Sequence, residues 1–310
     1  MVITKTYCYK LYRSKKTKHL DQSIDAAASV WNYCIAMHRR YYKMFGKYLP
    51  KNKLLKHITK IKRLHPSWKN LGSQAIQDVE ERIDRSYAAF FEHVKKKSKG
   101  RKSPPHFRKR TKYNSFTLKQ AGYRFYNGNH VSILGYDYKY SNSRDFEGTV
   151  KTVTVKRNQQ GEFHLYVVCK QEVHDVIPRL GNATGYDFGL KHFLTASDGS
   201  TIDSPEWHKK ALPELRIANR NLSHTKKGSK NRKRARRKLE AVNQKVANRR
   251  RDWFFKLANE LVAQNAVICI EDLNLDAMKR LWGRKISDYA FAEFVGILEW
   301  KASLVGTTIV

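Results

Sequence analysis

Two carboxylates occupy positions in the sequence where they could do chemistry. Asp187 lies in an apolar, strand-like segment between Gly185 and Gly189, and Glu271 directly follows the apolar run 266–270. A buried carboxylate is costly unless it is paired or binds a metal, and ligand sites of α/β sheets favour the carboxyl ends of strands. Each acid alone could instead be a helix N-cap or a turn residue. Together they indicate a carboxylate cluster that binds Mg²⁺ for phosphodiester hydrolysis.

The charge of the chain indicates a polyanionic partner. The 310 residues contain 62 Lys and Arg against 27 Asp and Glu, a formal net charge of +35, and 41% of them are hydrophobic. A folded protein with this surplus repels itself unless a polyanion neutralises it, and nucleic acid does so with release of counterions. The apolar runs are too short to span a membrane, and no apolar core follows the start as in a signal peptide. We therefore expect an intracellular protein with nucleic acid, not a membrane, as its partner.

The most basic segment, residues 226–238, is the strongest candidate for phosphate contacts. A charge run of this kind is usually a solvated face or a tail. Here Ala235, Leu239, Val242 and Val246 recur at helical spacing, which predicts an ordered helix. Eight cations are expected to add affinity without sequence preference: Lys226, Lys227, Arg232, Arg234, Arg236, Arg237, Arg249 and Arg250.

The four cysteines do not form a metal-binding pattern. Cys8, Cys34, Cys169 and Cys269 contain no CxxC pair, which excludes a zinc ribbon within these residues. Cys169 and Cys269 lie in apolar, strand-like runs and are therefore expected to be buried free thiols.

Hydrophobic periodicity and turn signals predict about two domains, with a boundary near residues 178–182. The N-terminal part is predicted to contain a strand at 2–12 that folds back into a small antiparallel β domain at 107–171, and helices from about 18 and over 73–94. The C-terminal part is predicted to contain a strand–turn–strand unit at 184–199, one long basic helical stretch at 212–264, strands at 266–270 and 307–310, and a helix at 289–304.

Several of these segments resemble one known family. The segments 185–193 and 197–199, with 270–274 after the basic helical stretch, resemble the RuvC-like nuclease domain of TnpB. TnpB is the RNA-guided DNA nuclease of insertion sequences and is related to the compact type V CRISPR effectors. Upstream, residues 74–91 resemble the recognition-lobe helix of the family, and residues 100–118 resemble its entry into the β-barrel wedge domain.

The resemblance implies an α+β multidomain fold. A helical recognition lobe (16–99) would be inserted in a β-barrel wedge domain (1–15 and 100–178). An α/β RNase H-like (RuvC) domain would follow at 179–310, without the zinc ribbon and the last helix of the family. Asp187 matches the first catalytic carboxylate and Mg²⁺ ligand and Glu271 the second. The third family carboxylate has no match in the 310 residues.

The resemblance also implies partners and a function. Guide RNA and double-stranded target DNA are the expected partners, with one monomer per RNA, weakly held Mg²⁺ and no zinc, in the bacterial cytoplasm near the nucleoid. Because one metal-holding carboxylate has no match, we expect RNA-guided DNA binding without efficient cleavage, and so transcriptional repression by a transposon-derived protein. The alternative is an active RNA-guided endonuclease of which this chain is a fragment. A ribosomal or RNA-chaperone protein would explain the charge but not the acids.

Related effectors read a short motif beside the target, and two glutamines are candidates for this role. Gln74 and Gln77 lie one turn apart on a predicted helix, so they share a face. A side-chain amide can form two hydrogen bonds with the edge of an adenine in the major groove. The alternative is an ordinary exposed pair of glutamines.

Overall fold

The computed structural model describes residues 2–97, 99–172, 177–178, 180–189, 191–271 and 289–310. The chain divides into two compact units, residues 2–172 and residues 173–310, the latter together with residue 1. Each unit contains both helices and strands, so the fold is a mixed α/β fold, as predicted. The finer assignment of residues 16–99 to a recognition lobe and of 1–15 with 100–178 to a wedge domain stays a prediction.

The strands of the first unit form two antiparallel sheets. With the strands numbered along the chain, a four-stranded sheet has the order β1-β7-β6-β2. A three-stranded sheet has the order β3-β4-β5. Val2 pairs with Glu172 and Lys10 with His164, so the N-terminal strand does fold back onto the β region. The strands are β1 (Val2–Lys10), β2 (Ser115–Leu118), β3 (Tyr123–Tyr126), β4 (His130–Ile133), β5 (Tyr136–Lys139), β6 (Thr149–Arg157) and β7 (Phe163–Glu172).

Three helices lie between β1 and β2: α1 (Thr17–Phe45), α2 (Lys51–Ile61) and α3 (Ser73–Lys95), with short 3₁₀ turns between α2 and α3. The apolar stripe predicted for α1 is buried, as in Ile24 and Trp31. In α3 the predicted stripe is buried only in its first half, at Ile76, Val79 and Ile83, whereas Phe91 in its last turns is 47% exposed. The sequence pattern therefore gives the packed face of each helix but not the point where packing ends.

The second unit is built on a five-stranded sheet of order β10-β9-β8-β11-β12. Strands β8, β11 and β12 are parallel to one another, whereas β9 and β10 form an antiparallel edge. The strands are β8 (Ala183–Asp187), β9 (Leu194–Ala196), β10 (Thr201–Ile202), β11 (Val267–Ile270) and β12 (Thr308–Ile309).

Three helices accompany this sheet: α4 (Trp207–Ser223), α5 (Lys230–Gln264) and α6 (Phe291–Val305). The single helical stretch predicted over 212–264 is wrong, because the chain turns between α4 and α5. Gly228, at φ 86°, adopts a left-handed backbone in the turn that follows α4, and the hydroxyl of Ser229 then accepts a hydrogen bond from the Arg232 N–H to cap α5.

Among the described residues of this unit, one face of the sheet is covered by helices and the other face exposes Cys269. Buried residues of α5 and α6, such as Leu261 and Phe294, pack with Phe193 and Ile268 of the sheet. Because side chains alternate along a strand, the neighbouring Cys269 points to the other face and is exposed. The prediction that Cys269 is buried is therefore wrong, whereas Cys169 is buried as predicted. None of the described helices combines the length and apolar character needed to cross a membrane.

Candidate functional site

The strand register brings the two candidate carboxylates together. In the parallel pair of β8 and β11, Tyr186 lies opposite Ile270. One residue further, Asp187 ends β8 and Glu271 follows β11, so the two stand side by side on strands about 5 Å apart. Both side chains are exposed, whereas Tyr186 and Ile268 face the packed side of the sheet. The predicted cluster therefore has two members at adjacent carboxyl ends of strands.

Small residues surround Asp187 on the face of the sheet that exposes Cys269. A side chain at Gly185, two residues earlier on β8, would come within 3.9 Å of the Ser197 Cβ. The Ser197 hydroxyl accepts a hydrogen bond from the Gly185 N–H at 3.3 Å. Next to it, Asp198 accepts hydrogen bonds from the hydroxyl and N–H of Ser200, which lower the pKa of its carboxyl group. Asp198 therefore serves the turn before β10.

The donor chemistry of the pair fits Mg²⁺. Carboxylate oxygens are the hard ligands that this ion takes from proteins, and both carboxylates are open to solvent. The described part of the chain contains no group of three His, Cys, Asp or Glu side chains that could hold a metal. Residues 272–288 lie outside the described residues, among them the rest of the 270–274 segment. The catalytic roles of Asp187 and Glu271 stay a prediction.

Helices α4 and α5 form a hairpin, here called the cationic hairpin (residues 207–264). Val242 and Val246 of α5 are buried, so the apolar stripe predicted for the basic segment does order it as a helix. Six of the eight predicted cations are exposed on this hairpin: Lys226, Lys227, Arg234, Arg236, Arg237 and Arg249. These cations are free to approach a phosphate backbone.

Two of the predicted phosphate contacts have partners inside the protein instead. Arg232 donates hydrogen bonds through Nη1 to the carbonyl oxygens of Leu222 and Thr225, at 3.0 and 2.8 Å. These are carbonyls at the C-terminal end of α4, where a cation is favourable. Arg250 donates through Nη2 to Glu293 Oε2 at 3.2 Å. Both arginines therefore stabilise the second unit, and the prediction that they are free phosphate contacts does not fit their contacts.

A cleft of about 650 Å³ between α4 and α5 carries further cations. Arg234, Lys238 and Lys245 line it together with Glu214 and apolar side chains. Lys238 and Lys245 were not among the predicted contacts, although their spacing from Arg234 places all three along one side of a helix. The cleft can follow a phosphate backbone with two or three positive charges at once.

The two glutamines that are candidates for reading a flanking motif differ in their contacts. Gln74 Oε1 accepts hydrogen bonds from three backbone N–H groups, of Lys119, Gln120 and Ala121, at 2.8–3.1 Å. A double hydrogen bond to adenine needs this oxygen as acceptor, so Gln74 does not fit the predicted role. Gln77 is exposed and keeps both of its amide atoms accessible.

Comparison with known proteins agrees with the resemblance. A family model described as "Probable transposase", OrfB_IS605, matches residues 166–281. A "Putative RNA-guided DNA endonuclease" of Streptomyces pristinaespiralis is 34% identical over 161 residues, which cover 51% of this chain and 40% of that protein. The "Putative RNA-guided DNA endonuclease InsQ" of Escherichia coli K12 is 27% identical over 259 residues, 82% of this chain and 62% of that protein. These matches support a member of the TnpB family.

The fold of the chain also resembles a solved structure. The cryo-EM structure of a Cas12f1–sgRNA–target DNA complex superposes with a TM-score of 0.57 at 14% identity, over 100% of this chain and 89% of that one. At this identity the likeness shows the fold alone. The chain spans less than two thirds of each curated relative, 40% and 62% of their lengths.

Proposed function

We propose that this chain is an RNA-guided DNA-binding protein that holds a hybrid of guide RNA and target DNA. The observation that carries the proposal is the cationic hairpin, whose exposed Arg234, Arg236 and Arg237 belong to the same unit as the Asp187–Glu271 pair. A hybrid duplex is recognised through its shape and its phosphates, and a helix with exposed cations provides such contacts without reading bases. The names of the two curated relatives support the same reading.

We further propose that Asp187 and Glu271 mark a RuvC-type centre that cuts DNA inefficiently with the carboxylates described. When bound there, Mg²⁺ would activate water and stabilise the leaving oxygen of a phosphodiester. Mg²⁺ keeps several of its waters and is usually held by only one or two carboxylates, so two ions sharing this pair would each be fixed by few protein oxygens and positioned loosely. Binding without efficient cleavage would repress transcription wherever the target lies in a promoter.

A second candidate function is RNA-guided cleavage of DNA. The adjacent, solvent-exposed carboxylates at the carboxyl ends of β8 and β11 favour it, because repression alone does not need them.

The experiment that decides between the two uses the chain with a guide RNA, a matched DNA duplex and Mg²⁺. Binding is followed by gel shift and cleavage by the loss of full-length duplex. Guide-dependent binding with little cut product supports the proposal, and rapid guide-dependent cleavage that D187N abolishes supports the endonuclease. Binding that ignores the match between guide and target contradicts both.

A further inference from the structure

The first unit contains an aromatic pocket that neither the carboxylates nor the cationic hairpin explains. Its volume is about 520 Å³, and it lies between α1 and α3, where Tyr42, Tyr87 and Phe91 form walls and the segment 104–105 closes one side. This volume and this apolar lining are typical of pockets that bind small ligands. No acidic side chain is among the described residues that line it.

The pocket presents flat ring faces at its mouth. Tyr42 is 65% exposed and Phe91 is 47% exposed, although both belong to helices with long buried stripes. Tyr87 and Phe91 are stacked at a centroid distance of 6.0 Å with an interplanar angle of 23°. Exposed rings held in place in this way are the platforms on which unpaired bases stack.

The floor of the pocket contains a polar group without a partner. His38 is 3% exposed, and neither of its ring nitrogens has a hydrogen-bond partner among the described residues. The ring is held by Tyr48 and Tyr87, with centroids 5.0 and 4.9 Å away. A buried polar group without a partner costs stability, which is offset if a ligand supplies the missing hydrogen bonds.

The protonation state of His38 suits the edge of a base. Burial lowers the pKa of the imidazole to about 4, although Asp84 opposes this shift. At neutral pH the ring therefore has one donor and one acceptor nitrogen. The edges of nucleobases present the same two kinds of group side by side.

A cation lies at the rim of the pocket. Arg39 follows His38 on α1, is exposed, and places its guanidinium carbon 4.6 Å from the centre of the Phe107 ring. A guanidinium fixed on an aromatic face can still donate hydrogen bonds to a phosphate at its edge. The pocket thus combines stacking walls, a polar floor and a phosphate-binding rim.

We propose that this aromatic pocket binds one unstacked nucleobase of a single-stranded nucleic acid, with the adjoining phosphate at Arg39. The inference rests on the proposed function, because it needs a nucleic acid bound to the chain. It adds a binding site in the first unit, in residues to which no nucleic-acid contact has been assigned. The bound strand is RNA or DNA, and the two are distinguished by parallel probes.

The test measures the affinity of the full chain for a short single-stranded RNA and for DNA of the same sequence, each with one 2-aminopurine. Y42A and F91A should each weaken binding about tenfold, because stacking on one ring contributes that much. The salt dependence should stay as in the wild type, since no phosphate contact is lost. Y42F keeps the ring and should bind normally, and Y12A removes a ring outside the pocket and should also bind normally.

Replacing the buried imidazole separates ligand binding from folding. H38F keeps a ring of similar size and removes both unpartnered nitrogens, so the first unit should unfold at the same or a higher temperature. Binding should nevertheless weaken. When each of the four natural bases replaces 2-aminopurine in the probe, their affinities for H38F should differ less than their affinities for the wild type. An imidazole with only a structural role would not affect base preference.

The outcomes distinguish failure of the pocket from failure of the proposed function. If the wild type binds both probes and Y42A, F91A and H38F bind equally well, the pocket does not bind a base and the proposed function stands. If the wild type binds neither probe nor guided duplex, both proposals are overturned. If the pocket instead binds an apolar peptide while Y42A and F91A leave nucleic-acid binding unchanged, the inference is overturned as well.

Discussion

Asp187 and Glu271 lie side by side, each one residue beyond the paired Tyr186 and Ile270 on neighbouring parallel strands. They are 84 positions apart in the sequence, and only the sheet brings them together. Both are exposed, and neither has a side-chain hydrogen bond or ion pair with the part of the chain that the structure describes. Neighbouring strands lie about 5 Å apart, and two like charges at that spacing repel each other by about 1 kcal/mol in water, which a divalent cation would relieve.

The Asp187–Glu271 pair should bind Mg²⁺ weakly, and binding should require both carboxylates. At ten times its Kd, Mg²⁺ should stabilise the second unit by about 1.4 kcal/mol, which raises its Tm by about 5 °C. In D187N and in E271Q this rise should disappear, and without Mg²⁺ each variant should be slightly more stable than the wild type. Differential scanning calorimetry with and without Mg²⁺ measures both effects. D198N is the matched control, because Asp198 serves a turn, and a rise lost in D198N would contradict the assignment.

The exposed cations of the hairpin should determine the salt dependence of binding. The quadruple variant K226Q/K227Q/R236Q/R237Q removes up to four phosphate contacts, so the slope of log K against log salt should fall by about 3–4. Fluorescence anisotropy with guide RNA at several salt concentrations measures this slope. A quadruple variant with the wild-type slope would show that the hairpin does not contact phosphates.

Arg232 provides a control of equal charge with a different role. R232Q removes the two hydrogen bonds to the end of α4, so it should destabilise the second unit by about 2 kcal/mol. Because this side chain is used inside the protein, the salt slope should change little. Thermal unfolding and the anisotropy measurement test the two expectations together, and the reverse pattern would return Arg232 to the phosphate contacts.

Gln74 and Gln77 should behave differently although they share a helix. Q74A leaves three backbone N–H groups without their common acceptor, so we expect a loss of about 1–3 kcal/mol in stability. Q77A should leave stability unchanged and, if Gln77 reads the flanking motif, relax the preference at one base pair. A binding selection on DNA with a randomised flank measures that preference. Unchanged stability of Q74A would contradict its role in holding the turn.

The stability of the first unit should depend on pH through Glu80. This carboxyl group is fully buried on α3, and burial, followed by the nearby Asp84, raises its pKa from 4.5 to about 7. Between these values the unfolded chain releases a proton that the folded chain keeps, so this group makes stability fall as pH rises from 4.5 to 7. E80Q should therefore be more stable than the wild type at pH 8, by about 2–3 kcal/mol.

His38 makes the stability of the first unit change with pH in the opposite direction to Glu80. The two groups can therefore be distinguished in one experiment. Its pKa is lowered from 6.5 to about 4, so the unfolded chain binds a proton that the folded chain does not, and this group makes stability fall as pH drops through that range. In the wild type the two slopes oppose each other. In E80Q the slope of His38 is no longer opposed by that of Glu80, so amide exchange in α1 and α3 should show stability rising more steeply from pH 4 to 6.5 than in the wild type. A profile of E80Q parallel to that of the wild type would contradict the raised pKa of Glu80.

Local patterns predicted many of the strands and helices, because they record which face of an element is buried, but they missed α2 and the turn between α4 and α5. The apolar, strand-like segment around Asp187 predicted β8, and the stripe at Ile24 and Trp31 predicted the packed face of α1. The position of Asp187 and Glu271 at the carboxyl ends of two strands indicated that they lie close together. Their exact alignment could not be predicted, because it depends on how β8 and β11 pair in the sheet.

Contacts between side chains distant in sequence could not be predicted from composition. Arg232 looks like the other cations of its segment, and only the turn before α5 places it against the carbonyls of α4. In the same way, the three N–H groups that surround the Gln74 oxygen come from a loop 45–47 residues away. Charge and spacing in the sequence indicate the class of partner. Which cations and amides are available to bind that partner depends on the contacts that each side chain makes in the folded protein.

The most direct test of the account is sequencing of the RNA that copurifies with the full chain from its own cells. The account predicts one abundant RNA species with a constant part and a guide part that matches a DNA site, and gel shift should show tight binding of that site only with this RNA. A chain that purifies free of RNA, or with random fragments of the cellular pool, would contradict it.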